Sequence, residues 1–220
     1  MRFQLRHGFY TAYAVLSVMY IILIRLLPDT LAGPALTLIL FSDICALGFF
    51  FIGAIILLER GQNITQSLFV TPLRLSEYLL AKQISFLILS LMSAFLIVLG
   101  VSAFKGDVLW FSYGLIMSSS VYTLFGVYFA AKARHVNDYF VRALGIGLFI
   151  SLPVVAYLNL FDTVLFNVFP THATLILLDV LEHNYSGSEK IYAGLNLLTW
   201  VIVLSFFAWQ RLEKHVRHPA

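Results

Sequence analysis

Residues 36–58 read LTLILFSDICALGFFFIGAIILL, and the fold is decided there. The run holds one carboxyl, Asp43, and no basic residue. An α-helix needs about 20 mostly apolar residues to cross the hydrocarbon core of a bilayer, and this stretch supplies them. It lacks the apolar–polar alternation of a strand in an outer-membrane barrel. Five further runs share its character, at residues 8–27, 78–104, 109–131, 143–161 and 191–210. Composition points the same way. Of the 220 residues, 60% are hydrophobic and 11% charged, where soluble domains average about 25% charged. The chain is expected to be an all-α integral membrane protein, with six transmembrane helices in a single transmembrane domain, residues 1–220.

The net charge of +3 would invite a nucleic-acid reading in a soluble protein. Membrane orientation explains it more simply. With the N-terminus inside, only Arg25, Lys105 and Lys190 of the 14 Lys and Arg residues fall outside. A basic excess marks the cytoplasmic side, so both termini are expected to be cytoplasmic. Arg2, Arg6 and His7 ahead of the first run resemble the start of a signal peptide. The apolar part is too long for one and no small-x-small site follows, so an uncleaved span is expected. The single cysteine, Cys45, is read as a packing or lipid-facing residue, and one thiol builds no disulfide framework. Among the outer segments the last, residues 162–190, is the longest. Its apolar part, 171–182, is too short to cross. A re-entrant or interfacial outer helix is expected there, before span six, with Pro170 ahead of it and Thr171 capping its start. Pro153 is expected to kink span five.

Directly after the opening run comes a polar connection, LERGQNITQSLFVTPL, residues 58–73. The charge rule puts it in the cytoplasm, between spans two and three. Residues 62–70 can form a short helix in the membrane plane, with Ile64 and Leu68 on one face and Phe69 beside them. Pro72 stops it, because the residue before a proline disfavours helix. Ser76 then caps the third span, with Glu77 in its first turn. Lys82 snorkels back to the inner interface. Such a helix can transmit a push to both flanking spans, or can simply connect them. The residues alone leave both readings open.

Glu59-Arg60, then Leu68-Phe69-Val70-Thr71-Pro72-Leu73, then Glu77-Tyr78-Leu79-Leu80-Ala81-Lys82 resemble the first cytoplasmic loop of ABC-2 type transporter permeases. Six spans, inner termini and a membrane-dipping outer segment fit that family too, so the resemblance covers nearly the whole chain. The small size and the Glu59-Arg60-Gly61-Gln62 wording are similar to the fluoroquinolone-export type of permease. Two positions depart from the pattern. Asn63 stands where a loop glycine is expected, and Gln66 where an acidic residue is usual.

The resemblance implies the transmembrane permease subunit of an ATP-driven exporter. Two six-span subunits would enclose a path, and two cytoplasmic ATP-binding-cassette ATPase subunits would drive it. The loop would be the coupling helix, with Glu59, Arg60, Gln62, Gln66, Thr71 and Pro72 as ATPase-coupling candidates. Arg134, Asp138 and Arg142, in the second inner loop, are either a second ATPase contact or plain positive-inside anchors. ATP and Mg would belong to the partner ATPase, since this chain has no Gly-x4-Gly-Lys-Ser/Thr phosphate loop. No cofactor, metal or catalytic residue is expected on the chain itself. Its partners would be the ATPase, a second permease subunit and the bilayer of a prokaryotic cell membrane, and not nucleic acid. The cargo would be lipophilic or amphipathic: a drug-like molecule, a lipid or a peptide.

Inside the spans, Asp43 lies about 10 Å from the outer end of a span starting at residue 36, at 1.5 Å per residue. An ionisable group at that depth is a functional hypothesis by default. Arg25 falls near the same level. A structural Asp43–Arg25 pair, an Asp43 bonded to a neighbouring span, and a polar lining of the substrate path all fit. In span four, Gly114, Ser118, Tyr122, Gly126 and Ala130 make a row of mostly small residues at four-residue spacing, suited to close helix contact within the chain or across a dimer. A membrane assembly protein that works without an ATPase is an alternative the residues leave open, and two other rival functions fit less well. An intramembrane enzyme needs ligand or acid pairs inside spans, and all six histidines fall outside them. A secondary carrier usually shows internal repeats and charged relays in mid-membrane, and neither is visible.

Overall fold

The computed structural model describes residues 9–62, 75–101, 106–133 and 135–217. Every regular element among them is helical. In chain order these are α1 (Phe9–Arg25), α2 (Asp29–Gly61), α3 (Leu75–Val101), α4 (Val108–Ala130), α5 (Val136–Ile150), the single turn α6 (Val154–Tyr157), α7 (Pro170–Asp179) and α8 (Gly187–Arg217). Four of them, α2, α3, α4 and α8, are long and apolar enough to cross a membrane.

The centre of the bundle is α4. Every side chain from Ser118 to Val127 is buried, as befits a helix that is apolar all round. It packs against α8, α7, α3 and the middle of α2. The row of small residues explains how. Gly114, Ser118 and Tyr122 meet Leu177, Thr174 and Thr171 of α7 in antiparallel register. A Cβ on Gly114 would lie 2.5 Å from the Leu177 Cβ. Ser118 Oγ donates to Thr174 Oγ1 at 2.9 Å, and Tyr122 and Thr171 share a hydroxyl–hydroxyl bond of 2.9 Å. Gly126, one turn further, faces α2. A Cβ there would sit 2.7 Å from the Gly48 and Phe49 carbonyl oxygens. The row therefore packs within the chain.

At that contact α2 carries a π-helical stretch, Ala46–Phe51. An inserted residue of this kind frees a carbonyl from the helical ladder. The Tyr139 hydroxyl of α5 donates to the Phe49 carbonyl, buried beneath the close approach at Gly126. Phe49 also meets Phe125, Phe129 and Tyr139 edge to face, with centroids 6.0–6.4 Å apart. Nothing local in the sequence announces this turn, because its partners come from α4 and α5.

Several boundaries differ from expectation. The second span starts at Asp29, not at residue 36. Pro34 lies inside the helix, near enough to its start to disturb only the first two turns. Span five is not continuous over 143–161. α5 ends at Ile150, Ser151 to Pro153 turn, and α6 adds one turn. At 1.5 Å per residue α5 is about 22 Å long, short of a full crossing. Pro153 interrupts this span rather than kinking it. α7 opens with Pro170 at its first position, where a missing N–H costs nothing. Its N-cap is Phe169, without a side-chain cap. Thr171 does not cap, because its hydroxyl reaches sideways to the Ile150 carbonyl at 2.7 Å. Ser76 likewise lies within the first turns of α3 rather than ahead of it.

Between α6 and α7 lies a short 3-10 helix, Val164–Val168, whose end is held by α8. Tyr192 donates to the Asn167 carbonyl, Asn196 Nδ2 donates to the same oxygen at 2.9 Å, and Trp200 Nε1 donates to Val168 at 2.9 Å. These bonds satisfy carbonyls at a helix end that have no partner within the helix.

Candidate functional site

At the inner end, in the orientation the basic residues specify, α2 stops and α3 begins. Glu59, in the last turn of α2, accepts the Tyr78 hydroxyl at 2.8 Å and pairs with Lys82, both on α3. The Lys82 ammonium also lies 5.5 Å from the centre of the Tyr78 ring. Arg60 points the other way and donates to the Ala133 carbonyl at 3.1 Å, in the turn after α4. Two consecutive residues thus tie the end of α2 to both neighbouring helices. Gln62 is exposed just beyond. Gln66, Thr71, Pro72 and the expected in-plane helix lie outside the described residues, as does Arg134. Asp138 and Arg142 form an i,i+4 pair of 2.8 Å on α5, near the same end.

The structure separates Asp43 from Arg25. Because α2 starts at Asp29, Asp43 sits about 21 Å along it rather than about 10 Å. It is 3% exposed and lies beside Ser93 of α3, which bonds Ser17 of α1 at 3.2 Å. The Ser17–Ser93 bond joins α1 to α3 in the interior, next to Asp43 of α2. Arg25 instead donates its Nε to the Gly100 carbonyl at 2.9 Å, at an exposed helix end. Asp43 thus lies beside Ser93 of a neighbouring helix, and Arg25 is engaged elsewhere. Among the described residues no group of His, Cys, Asp and Glu is arranged to hold a metal ion.

At the opposite end Asp179 closes α7 inside a knot. It is 2% exposed. Its Oδ1 accepts Thr37 of α2 and Tyr157 of α6, both at 2.9 Å. Its Oδ2 accepts Tyr185 at 2.8 Å and faces His183 Nδ1 at 2.8 Å. A carboxylate so buried is costly unless its lone pairs are engaged, and here three hydroxyl donors engage it with the His183 imidazole alongside. The knot locks α7 to the start of α2, to α6 and to the approach to α8. The first turn of α8 is fixed separately. Glu189 Oε2 accepts the Ser186 N–H, the Ser186 hydroxyl accepts the Glu189 N–H, and Lys190 pairs with Asp107 at the start of α4. This reciprocal arrangement is a capping box.

The family model of the fluoroquinolones export permease protein family matches residues 1–219. The chain belongs to that family. Two Mycobacterium tuberculosis relatives, from strains CDC 1551 / Oshkosh and ATCC 25618 / H37Rv, are each named fluoroquinolones export permease protein. Each is 27% identical over 176 residues, which is 80% of this chain and 74% of the relative. No solved structure matches the chain. Family membership and the four long apolar helices make it a multi-pass membrane protein.

For this family member the sequence singled out Glu59, Arg60 and Lys82 but not their contacts with one another and with Tyr78 and Ala133, and it did not single out Asp179. Glu59, Arg60 and Lys82 stand out because charges are rare between apolar runs. Asp179 looked like one more outer acid. Only the i,i+4 spacing of Asp179 and His183 was visible in the sequence, whereas Thr37 and Tyr157 arrive from other elements.

Proposed function

We propose that the chain is the transmembrane permease subunit of an ATP-driven ABC-2 type exporter, with six membrane crossings and both termini in the cytoplasm. In this reading α1 and the broken α5–α6 unit supply the two further crossings. Two copies, or one copy and a related permease, enclose the path, and an ATP-binding-cassette ATPase works from the cytoplasmic side. The cargo is a drug-like, lipophilic or amphipathic molecule. The observation that carries this reading is membership, over 219 residues, of a family named for export of fluoroquinolones.

The inner corner supports a lever at residues 62–75. Glu59 and Arg60 have their side chains engaged within the chain. Their part in coupling is therefore to brace the lever against α3 and α4. Gln62, Gln66, Thr71 and Pro72 are left to meet the ATPase, with Arg134, Asp138 and Arg142 as the flanking contact. ATP and Mg sit on that partner. Closure of the ATPase pair would push the lever, and the braces would pass the push into three helices at once.

One observation favours a second reading, a proton-coupled carrier. Asp43 and Asp179 are both buried carboxyls, where the sequence reading counted one. The two mechanisms separate in inside-out vesicles containing this chain and its genomically adjacent ATPase. The ATP-driven reading expects fluoroquinolone uptake that requires ATP, survives a protonophore and disappears when the ATPase phosphate-loop lysine is replaced. Uptake abolished by the protonophore and indifferent to that lysine would establish the carrier instead.

A further inference from the structure

Beside the Asp179 knot lies a cavity of about 490 Å³ at the outer end, within the range of small-molecule pockets. Its wall comes from several elements. Asp162 follows α6, Asp179 ends α7, Glu189 opens α8, and the Tyr157 and Tyr185 rings flank them, over a floor that includes Pro34 and Leu175. No Lys or Arg is among the described residues of the wall. Lys190, the nearest candidate in sequence, is held by Asp107. The basic groups present are two imidazoles. His183 is turned to Asp179. Burial pushes the His172 imidazole below its ordinary value, against the pull of Asp162. Its Nδ1 is buried and has no hydrogen-bond partner among the described residues.

We propose that this cavity binds small organic cations, amines with one protonated nitrogen and an aromatic body. The carboxyls divide the work. Asp179 has all four of its contacts inside the fold, so it supplies field rather than a direct bond. Asp162 is exposed and has no ion-pair partner among the described residues. Glu189 is exposed at the rim, its cap contacts being made through Oε2. These two meet the ammonium, and the tyrosine faces take the aromatic part, which attracts cations and rings alike. An anion of the same size meets three carboxyls and no Lys or Arg among the described residues of the wall, and is disfavoured. Binding of this kind needs no ATPase and goes beyond the export reading. The cavity's use as a last station on an outward path does rest on that reading.

The test is a fluorescence titration of the whole chain in nanodiscs with naphthylmethylamine, with neutral naphthylmethanol as its isostere. The amine should bind at one site per chain, and the alcohol about tenfold more weakly or less. Asp162→Asn with Glu189→Gln should weaken the amine about tenfold and leave the alcohol unchanged. Glutamine keeps the capping box, so α8 should start as before. Asp162→Asn alone, at an exposed side chain, should give a smaller loss in the same direction, which keeps the test standing if the double variant does not fold. Equal binding of amine and alcohol, or amine binding indifferent to these substitutions, overturns the proposal. Amine binding that behaves as expected in a chain that shows no ATP-driven uptake would overturn the export reading and leave the site intact.

Discussion

At the residue scale, the pair formed by Glu59 and Lys82 is the most exposed to test. Both side chains are about four-fifths buried, at 21% and 19% exposure. A pair so placed is neither a screened surface contact nor a fully desolvated one, and removing one partner should cost about 1–3 kcal/mol. A double-mutant cycle with Glu59→Gln and Lys82→Met, followed by thermal unfolding in detergent, should return a coupling energy of about 1 kcal/mol or more. Strict additivity would remove the brace from the account. Asp179→Asn makes a second prediction. The amide keeps one acceptor oxygen for three hydroxyl donors, so unfolding should come about 2–3 kcal/mol earlier. A variant as stable as the parent would show that the knot is not what holds α7 in place. The residue scale is also where the sequence was least legible. Asp43 was visible as an acid out of place, yet its partner was not. Arg25 shared its apparent depth only while the second span was thought to begin at residue 36.

At the scale of elements, the contact between α4 and α7 is set by three residues on each side. Gly114→Leu forces a side chain into Leu177 and should cost about 3 kcal/mol or more by overpacking. Gly145→Leu is its control, since nothing lies within 4 Å of a Cβ there, and it should leave stability unchanged. Equal effects of the two would mean that the antiparallel register is wrong. The coupling segment makes a different prediction. Gln66→Arg with Thr71→Arg should leave the helices folded while ATP hydrolysis continues without transport, measured side by side in proteoliposomes. Coupled turnover in that variant would move the contact elsewhere. Long uninterrupted runs were legible from the sequence because their period and length are local properties. The π stretch in α2 was not, because it depends on where a distant hydroxyl reaches, and at Ser151–Pro153 the proline announced a disturbance but not that the helix would stop. Tyr139 meets the freed carbonyl of Phe49, and Thr171 meets that of Ile150. The row from Gly114 to Gly126 was legible as a packing face, and its partner helix became clear only in three dimensions.

At the scale of the whole molecule, two ends of the bundle do different things. In the proposed orientation the outer end is held by Asp179, by the capping box of α8 and by the pair of Lys190 with Asp107. The inner end gathers α2, α3 and the turn after α4 around Glu59 and Arg60, where the 62–75 connection leaves and returns. α1 and α8 turn large apolar side chains outward, Val15, Met19, Ile22, Ile202 and Phe206 among them. Such a surface suits lipid and a second permease subunit, and would not suit water. A molecule rigid outside and braced inside can carry a push across its full height. That picture requires the connection to lie on the cytoplasmic side and to be covered by the motor.

The chain's single cysteine makes this testable with little disturbance. Gln66→Cys in a Cys45→Ala background should react with a membrane-impermeant maleimide in inside-out vesicles and not in intact cells, and added ATPase subunit should protect it. Labelling of Cys45→Ala, Gln66→Cys in intact cells, or labelling in inside-out vesicles that the ATPase does not slow, would contradict the account.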